Sequence, residues 1–502
     1  MSFSHSVVQH ADSLNRRCLF CLLALLATFS PIRAFAESGP IQLLPQAERN
    51  LMRVRIEMDV KGNVNVPDNP LVSRRSELTL PIKSDAVFDY EERYQRPAQV
   101  DPRSEVPIVE RYYHQATNSS ELNRNESTLG LRESVRHVHV RRDALPETIY
   151  AVDDYFTGDE LALLRIPVSS AAVDQLLPSQ AIQVGDKFAP PNEAIVSLLN
   201  LSSVVGNDIE LEVVSIESRF VKMLLRGKVD GSVEGVPTVI RAVGKLTFDR
   251  QLGTSIWLAI ALHETREIGK AEPGFDVAAT IKMVRQPLPQ TVALAVAAPS
   301  LDVDLPVPEE RMFVDLQSKY AGIGVLLDRR WRMMTDLPGS AMLRMIDTDR
   351  SIAQCNLRPL AKLEPGKQLT LEAFQQDARR TLGERFDEMV EAEQRVSATG
   401  LRVLRVVARG AVEGVPIQWT MLHFSDDSGR RVLATFTMSA GSVETFAGAD
   451  VQFSDSLRLL EIDASAEVAG RSQGHPKIAL TDESQNSDAF SDDQVQSSSD
   501  LR

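Results

Sequence analysis

Cysteine is scarce in this chain. There are three in 502 residues, and Cys18 and Cys21 fall in a leader-like segment, which leaves Cys355 alone in the remainder. With the leader removed no intramolecular disulfide is possible, so the folded cores must stand on packing. Cys355, in the strand-like run 351–357, reads as a small buried hydrophobe rather than a nucleophile or an intermolecular link. Basic charge is in deficit as well, with 55 Lys and Arg against 69 Asp and Glu and a formal net charge of −14. That balance excludes nucleic acid as a partner, because phosphates demand basic surface, and it disfavours unaided docking on anionic lipid. Long apolar runs are missing beyond the leader. None approaches the roughly 20 residues of a membrane-spanning helix, so no transmembrane segment is expected after cleavage. The nucleophile elbow, the phosphate-binding glycine loop, the paired-histidine zinc helix and paired CxxC motifs are also missing.

What is present begins with an address. Arg16 and Arg17 precede a twelve-residue apolar run at 18–29, and Ala34-Phe35-Ala36 offers small residues for cleavage. This is the pattern of a signal peptide spanning 1–36 and cut after Ala36. The expected location is therefore outside the cytoplasm, in a bacterial periplasm or the extracellular space. Cys18 and Cys21 lie at the front of the apolar run rather than behind it, which argues against lipid attachment. Cleavage removes three arginines and one aspartate, taking the formal charge from −14 to −16.

Residues 37–286 read as an antiparallel β-rich domain. Along 51–61, Met52, Val54, Ile56, Met58 and Val60 alternate without a slip against Arg53, Arg55, Glu57, Asp59 and Lys61, the pattern of a half-buried strand. Weaker strand character follows at 76–90, then a proline-containing loop at 95–107. Further strands are expected at 109–116 and 133–142, separated by the polar run 118–127. A short helical piece is expected at 171–177. Pro190-Pro191 marks the start of a helix over 192–201, since proline fits the first turn. Five antiparallel strands then occupy 209–283, with turns at 230–237, 249–253 and 269–274. Together these predict a curved, half-barrel-like antiparallel meander holding one or two short helices.

Residues 287–310 carry Pro287, Pro289, Pro299, Pro306 and Pro308 among small apolar residues, the composition of a semi-rigid linker. A second domain is expected over 311–462. Its strands are expected at 313–318, 323–327, 331–334, 342–346, 352–357, 401–412, 415–424 and 431–438. Helices are expected at 370–386 and 442–460. Val233-Glu234-Gly235-Val236-Pro237 recurs as Val412-Glu413-Gly414-Val415-Pro416, which reads as two independent hairpin turns rather than a duplication. Residues 463–502 hold eight serines, eight acidic and three basic residues with little that is large and apolar, the composition of a disordered tail.

In the second domain the run Tyr320-Ala321-Gly322-Ile323 leads to Trp331 and the helix at 370–386. Hairpins ending in Phe436-Thr437-Met438 and a closing helix with Phe446 and Leu457 follow. This order of elements resembles the PsbP-like superfamily, named for an extrinsic protein of photosystem II. The resemblance covers about 150 of the 502 residues. It implies an αβα sandwich on an antiparallel sheet, and it implies neither photosynthesis nor any ligand residue. The fold class expected for the whole chain is α+β.

Candidate chemistry is sparse. His137 and His139 sit two apart on a strand and share a face, so both imidazoles could reach one metal ion, with His114 a conceivable third ligand. Val138 and Val140 form the apolar face, which turns the histidines outward among Arg136, Arg141 and Arg142, and a solvated polar face is the preferred reading. His423 follows Val415, Ile417, Trp419 and Met421 in alternation and reads as a hydrogen-bonded histidine ending a core strand, since no nucleophile partners it by spacing. His263, beside Glu264 and near Glu267, is read in the same way. Asp347-Thr348-Asp349-Arg350-Ser351 reads as a hairpin turn rather than a calcium loop. Trp257 projects from the face opposite Leu258 and Ile260, either as a stacking platform or under partial cover. These features predict an exported, non-catalytic binding or assembly protein with no cofactor, metal or catalytic residue assigned. Its partner is expected to be a protein or an apolar small molecule. The alternative is a carrier of an apolar small molecule or lipid in the curved sheet. The third reading is a metal-dependent enzyme or metal-binding protein using His137 and His139.

Overall fold

The structure, a computed structural model, describes residues 39–44, 51–66, 78–95, 108–142, 145–269, 272–295, 306–364 and 366–460. The expected leader, its cleavage site after Ala36, and the tail at 463–502 lie outside the described residues, as does nearly all of the 95–107 loop.

Thirteen strands form one antiparallel sheet. They are β1 (Leu51–Val66), β2 (Leu78–Gln95), β3 (Ile108–Leu122), β4 (Asn125–Gly130), β5 (His137–Arg141), β6 (Thr148–Ala151) and β7 (Lys187–Phe188). After these come β8 (Ser203–Asn207), β9 (Glu210–Ile216), β10 (Phe220–Val233), β11 (Val236–Asp249), β12 (Thr254–Arg266) and β13 (Gly274–Pro287). The main path runs β6-β5-β3-β2-β1-β13-β12-β11-β10-β9-β7, with β4 on β3 and β8 on β10. The expected five-strand meander is β9–β13, and the alternation at 51–61 is the middle of β1, which closes on β13. Gly62 is required there, because a Cβ would strike the carbonyl of Asp276 on β13.

One face of this sheet is apolar because the alternation is kept. Val221, Met223, Leu225, Ile240, Leu246, Leu258, Ile260, Ile281 and Met283 are each at most 2% exposed. Full burial of one such side chain contributes roughly 1.5–3 kcal/mol. Helix α1 (Gly158–Leu164), the 3₁₀ turn Val173–Leu176 and helix α2 (Asn192–Leu199) cover that face. α1 opens on a capping box in which Thr157 accepts the Glu160 N–H and the Glu160 carboxylate accepts the Thr157 N–H. α2 begins after Pro191, as the proline pair predicts. The polar run 118–127, read as a break, is instead a hairpin in which β3 and β4 pair through a turn at Asn123 and Arg124, both at positive φ.

The remaining strands are β14 (Val314–Ser318), β15 (Ile323–Leu327), β16 (Trp331–Leu337), β17 (Ser340–Asp347) and β18 (Arg350–Leu360). They continue with β19 (Phe386–Val396), β20 (Arg402–Val412), β21 (Val415–Ser425), β22 (Arg431–Ser439) and β23 (Arg458–Leu459). β14, β15 and β23 form a three-stranded sheet, and β16–β22 form a seven-stranded one. Three helices join them: α3 (Leu371–Leu382), α4 (Val443–Phe446) and α5 (Ala449–Ser456).

The expected α+β class with a C-terminal αβα sandwich is overturned. The protein is predominantly β, in three antiparallel sheets. Two causes are visible. The helix expected over 370–386 ends at Leu382, and the chain turns into β19, an added edge strand. The helix expected over 442–460 breaks into four- and eight-residue pieces at Gly448, held at φ +83°. The two Val-Glu-Gly-Val-Pro repeats are hairpin turns, β10–β11 and β20–β21, with Glu and Gly at positive φ in both. One buried apolar cluster runs from the large sheet through β14–β18 to Phe453 and Leu457.

Candidate functional site

The chemistry-bearing residues gather on both faces of β2, β3 and β5. On the face covered by the helices the alternation Ala86, Phe88, Tyr90 continues into Glu92 and Tyr94, so a carboxylate is carried inside. β3 brings Arg111 opposite Glu92, and β13 continues Ile281, Met283 into Arg285. Arg111 Nε donates to Glu92 Oε2 at 2.8 Å, Ser170 and Tyr94 donate their hydroxyls to the same carboxylate, and Arg285 Nη2 donates to the Tyr94 hydroxyl at 2.7 Å. Arg285 Nη1 also donates to Asp174 Oδ2 at 2.9 Å, and Asp174 Oδ1 accepts the Ser255 N–H at 2.7 Å. Burial opposes ionisation of Glu92 and Asp174. The neighbouring guanidiniums, Arg111 and Arg285 for Glu92 and Arg285 for Asp174, outweigh it and hold both carboxyls below the usual range. Every member has a partner, so this is a structural lock.

Beside the lock lies a cavity of about 30 Å³, bounded by Tyr90, Arg111, Tyr113, Glu147, Leu164 and Ser197 among others. It has room for about two or three waters, since one water needs roughly 10–15 Å³ measured this way.

On the opposite face, register places Arg93, Glu110, His139 and Tyr150 in one row across β2, β3, β5 and β6. Arg93 Nε and Nη2 both donate to Glu110 Oε2, at 2.9 and 2.6 Å. His137 Nε2 donates to Glu110 Oε1 at 2.9 Å, and its Nδ1 lies 3.8 Å from Asp153 Oδ2. His139 is only 4% exposed, stands edge-on to His137 and Tyr150, and its Nε2 has no hydrogen-bond partner. One ligand atom each from Glu110, His137 and His139 lies within 4.8 Å of the others. Burial, then the positive fields of His137 and Arg311, push His139 down to about 4, so it is neutral at pH 7. The solvated face expected for these histidines is therefore not found for His139.

The expected linker contributes here. Glu91 accepts the backbone N–H groups of Val292, Ala293 and Leu294, while Arg93 Nη1 donates to the Ala295 carbonyl at 2.9 Å. Its carboxyl sits low because these donors and His114 outweigh burial. His114, the conceived third ligand, is engaged with Glu91 at 2.8 Å and stays out of the cluster. Glu110 takes its place. Sequence reading missed it because an acidic residue on a strand looks like a wet neighbour. The available signal was its i+2 spacing to Tyr112 and His114 on an outward face that a later segment covers.

The other candidates disperse. His263 pairs with Asp276 at 2.9 Å on the solvent face, and Asp347–Ser351 is the β17–β18 turn. Trp257 is half-buried. His423 is buried against Phe374, but neither ring nitrogen has a hydrogen-bond partner, contrary to the expected bonded state. Cys355 is free and fully buried, and burial pushes its thiol up, away from the reactive thiolate.

No family model matches the chain, and no curated protein does. Among solved structures, a crystal structure from Bacteroides thetaiotaomicron VPI-5482 is similar at 13% identity and TM-score 0.22, over 29% of this chain and 48% of that one. The chain thus spans about half the length of that structure. The cyanobacterial PsbP from Synechocystis sp. PCC 6803 is similar at 14% identity and TM-score 0.23, over 30% of this chain and 92% of that one. Lipovitellin is similar at 9% identity and TM-score 0.28, over 51% of this chain and 27% of that one. Likeness at this level assigns neither a family nor an activity.

Proposed function

We propose that the chain is an exported, non-catalytic binding or assembly protein that meets a protein partner on its outer surfaces. The observation that carries this reading is the filled inner face of the large sheet. A carrier needs a chamber, and sites for small ligands run to roughly 300–1,000 Å³. Here the cavity between sheet and helices, among the described residues, has room for about 30 Å³ and lies beside paired charges. Opening it for a lipid would separate Arg285 from Asp174 or Arg111 from Glu92, which is unfavourable in a dry interior. The other buried nucleophile-type groups are sealed, with Cys355 fully enclosed and His423 at 1% exposure. The acidic balance supports a protein rather than a nucleic-acid partner. Titration with a fluorescent fatty-acid analogue is the test, and it should give no saturable, displaceable binding. Saturable binding displaced by unlabelled lipid contradicts the reading, as does turnover of ester, phosphate, glycoside or peptide substrates by the purified protein.

A further inference from the structure

We propose that Glu110, His137 and His139 form a binding site for a divalent transition-metal ion of the zinc class, which ties β3 to β5 beneath the 292–295 strap. Three observations carry this. Two imidazoles and a carboxylate present ligand atoms within 4.8 Å of one another, a donor set that suits zinc. Metal–ligand bonds of about 2.0–2.2 Å in a tetrahedron put ligand atoms about 3.3–3.6 Å apart. The 2.9 Å His137 Nε2–Glu110 Oε1 pair therefore has to open slightly to admit the ion, while separations toward the 4.8 Å limit close. Second, His139 is more than nine-tenths buried and its Nε2 is unpartnered, although a buried polar atom ordinarily finds a hydrogen bond. An ion supplies the missing partner.

Third, the surrounding groups are placed as supports. Arg93 holds Glu110 through Oε2 alone, leaving Oε1 to the cluster. Asp153 Oδ2 lies 3.8 Å from His137 Nδ1. When Nε2 binds the metal, the imidazole proton resides on Nδ1 and faces that carboxylate, which must close by roughly 1 Å to give the carboxylate–histidine–metal support. Arg93 and Arg311 bring positive charge to this face. They oppose a dication, and the Glu110 carboxylate offsets part of that charge. A metal here acts as a cross-tie. Glu110 is 1% exposed and His137 half-buried, which leaves little room for a substrate.

The test is equilibrium dialysis of the full-length, chelator-treated protein against zinc, with elemental analysis, and a parallel titration with cobalt(II) read by its visible absorption. One equivalent of zinc and a tetrahedral-type cobalt spectrum are expected. H137A and H139A should lose stoichiometric binding, D153N should weaken it about 10–100-fold, and H114A should leave it unchanged. Should the alanine variants not fold, zinc-edge X-ray absorption on the wild-type protein decides, and two imidazoles with one or two oxygens are expected. Absence of stoichiometric metal, a shell without two imidazoles, or full binding by a folded H139A would overturn the site.

Discussion

The large sheet and the seven-stranded sheet bury their interiors by different chemistry. On its helix-covered face the large sheet encloses Glu92, Arg111 and Arg285, with the half-buried Asp174 beside them, each in an ion pair or hydrogen bond and each dependent on its partner. The seven-stranded sheet encloses rings. Phe436 lies 5.2 Å from Phe453, 5.4 Å from Phe446 and 5.8 Å from Trp331, centroid to centroid. That sheet also holds a charge pair, Arg405 with the buried Asp450, and Arg405 reaches on to the exposed Glu391. A packed aromatic core is set by volume, while a charged core is set by partner identity. The first should forgive a change of shape. The second should not forgive loss of one member.

The largest expected effect follows directly. Arg285→Met keeps most of the volume but leaves the half-buried Asp174 without its cation and the buried Glu92 without one of its nearby positive charges. It should cost about 3 kcal/mol in denaturant unfolding. A cost below about 1 kcal/mol would erase the contrast between the two regions. Next comes acid. Glu92 and Asp174 titrate below their unfolded values, so their stabilisation is present above about pH 4 and is lost as pH falls through the depressed folded values. Midpoints followed below pH 4 should drop steeply for the wild type and less steeply for Arg285→Met.

The histidines act in a higher window. Burial, followed by Arg431 and Arg402, lowers His423 to about 4. Between about pH 4 and 6.5 the folded state then binds fewer protons than the unfolded one, and stability falls as pH drops across that range. The full shift corresponds to about 3 kcal/mol. His139 adds a like dependence in the large sheet. His423→Leu should remove one of the two contributions, seen as a shallower change of midpoint between pH 6.5 and 4, and an unchanged slope would contradict the burial argument. Smaller still is Phe436→Leu, at about 1–1.5 kcal/mol, because the ring cluster can repack around a similar volume. Smallest is modification of Cys355. A thiol reagent should label it only on unfolding, and rapid labelling of native protein would show the core to be more open than described.

Much of this contrast was legible in the sequence, and its limits are physical. Strict alternation gave β1 and β9–β13, and Pro191 gave the start of α2. β19 escaped because two register shifts, at Phe386/Glu388 and Met389/Glu391, break its period of two. β19 is also held by Gly410 on β20, where a Cβ would collide with the Arg385 carbonyl. The buried lock escaped because charged residues were assigned to the wet face by type. The signal was phase. Arg285 follows Ile281 and Met283 at intervals of two, and Glu92 follows Phe88 and Tyr90, so both had to point inward. Pairing between Glu92 and Arg285 through Tyr94 spans about 190 positions in the chain, and no local pattern encodes it. The same limit hid Glu110, whose role depends on β5 lying alongside β3.

The filled interior of the large sheet is tested most directly by native mass spectrometry of protein released gently from cells. The mass of the polypeptide alone, or with one metal ion, is expected. A co-purifying lipid-sized mass, lost on unfolding, would contradict a filled interior.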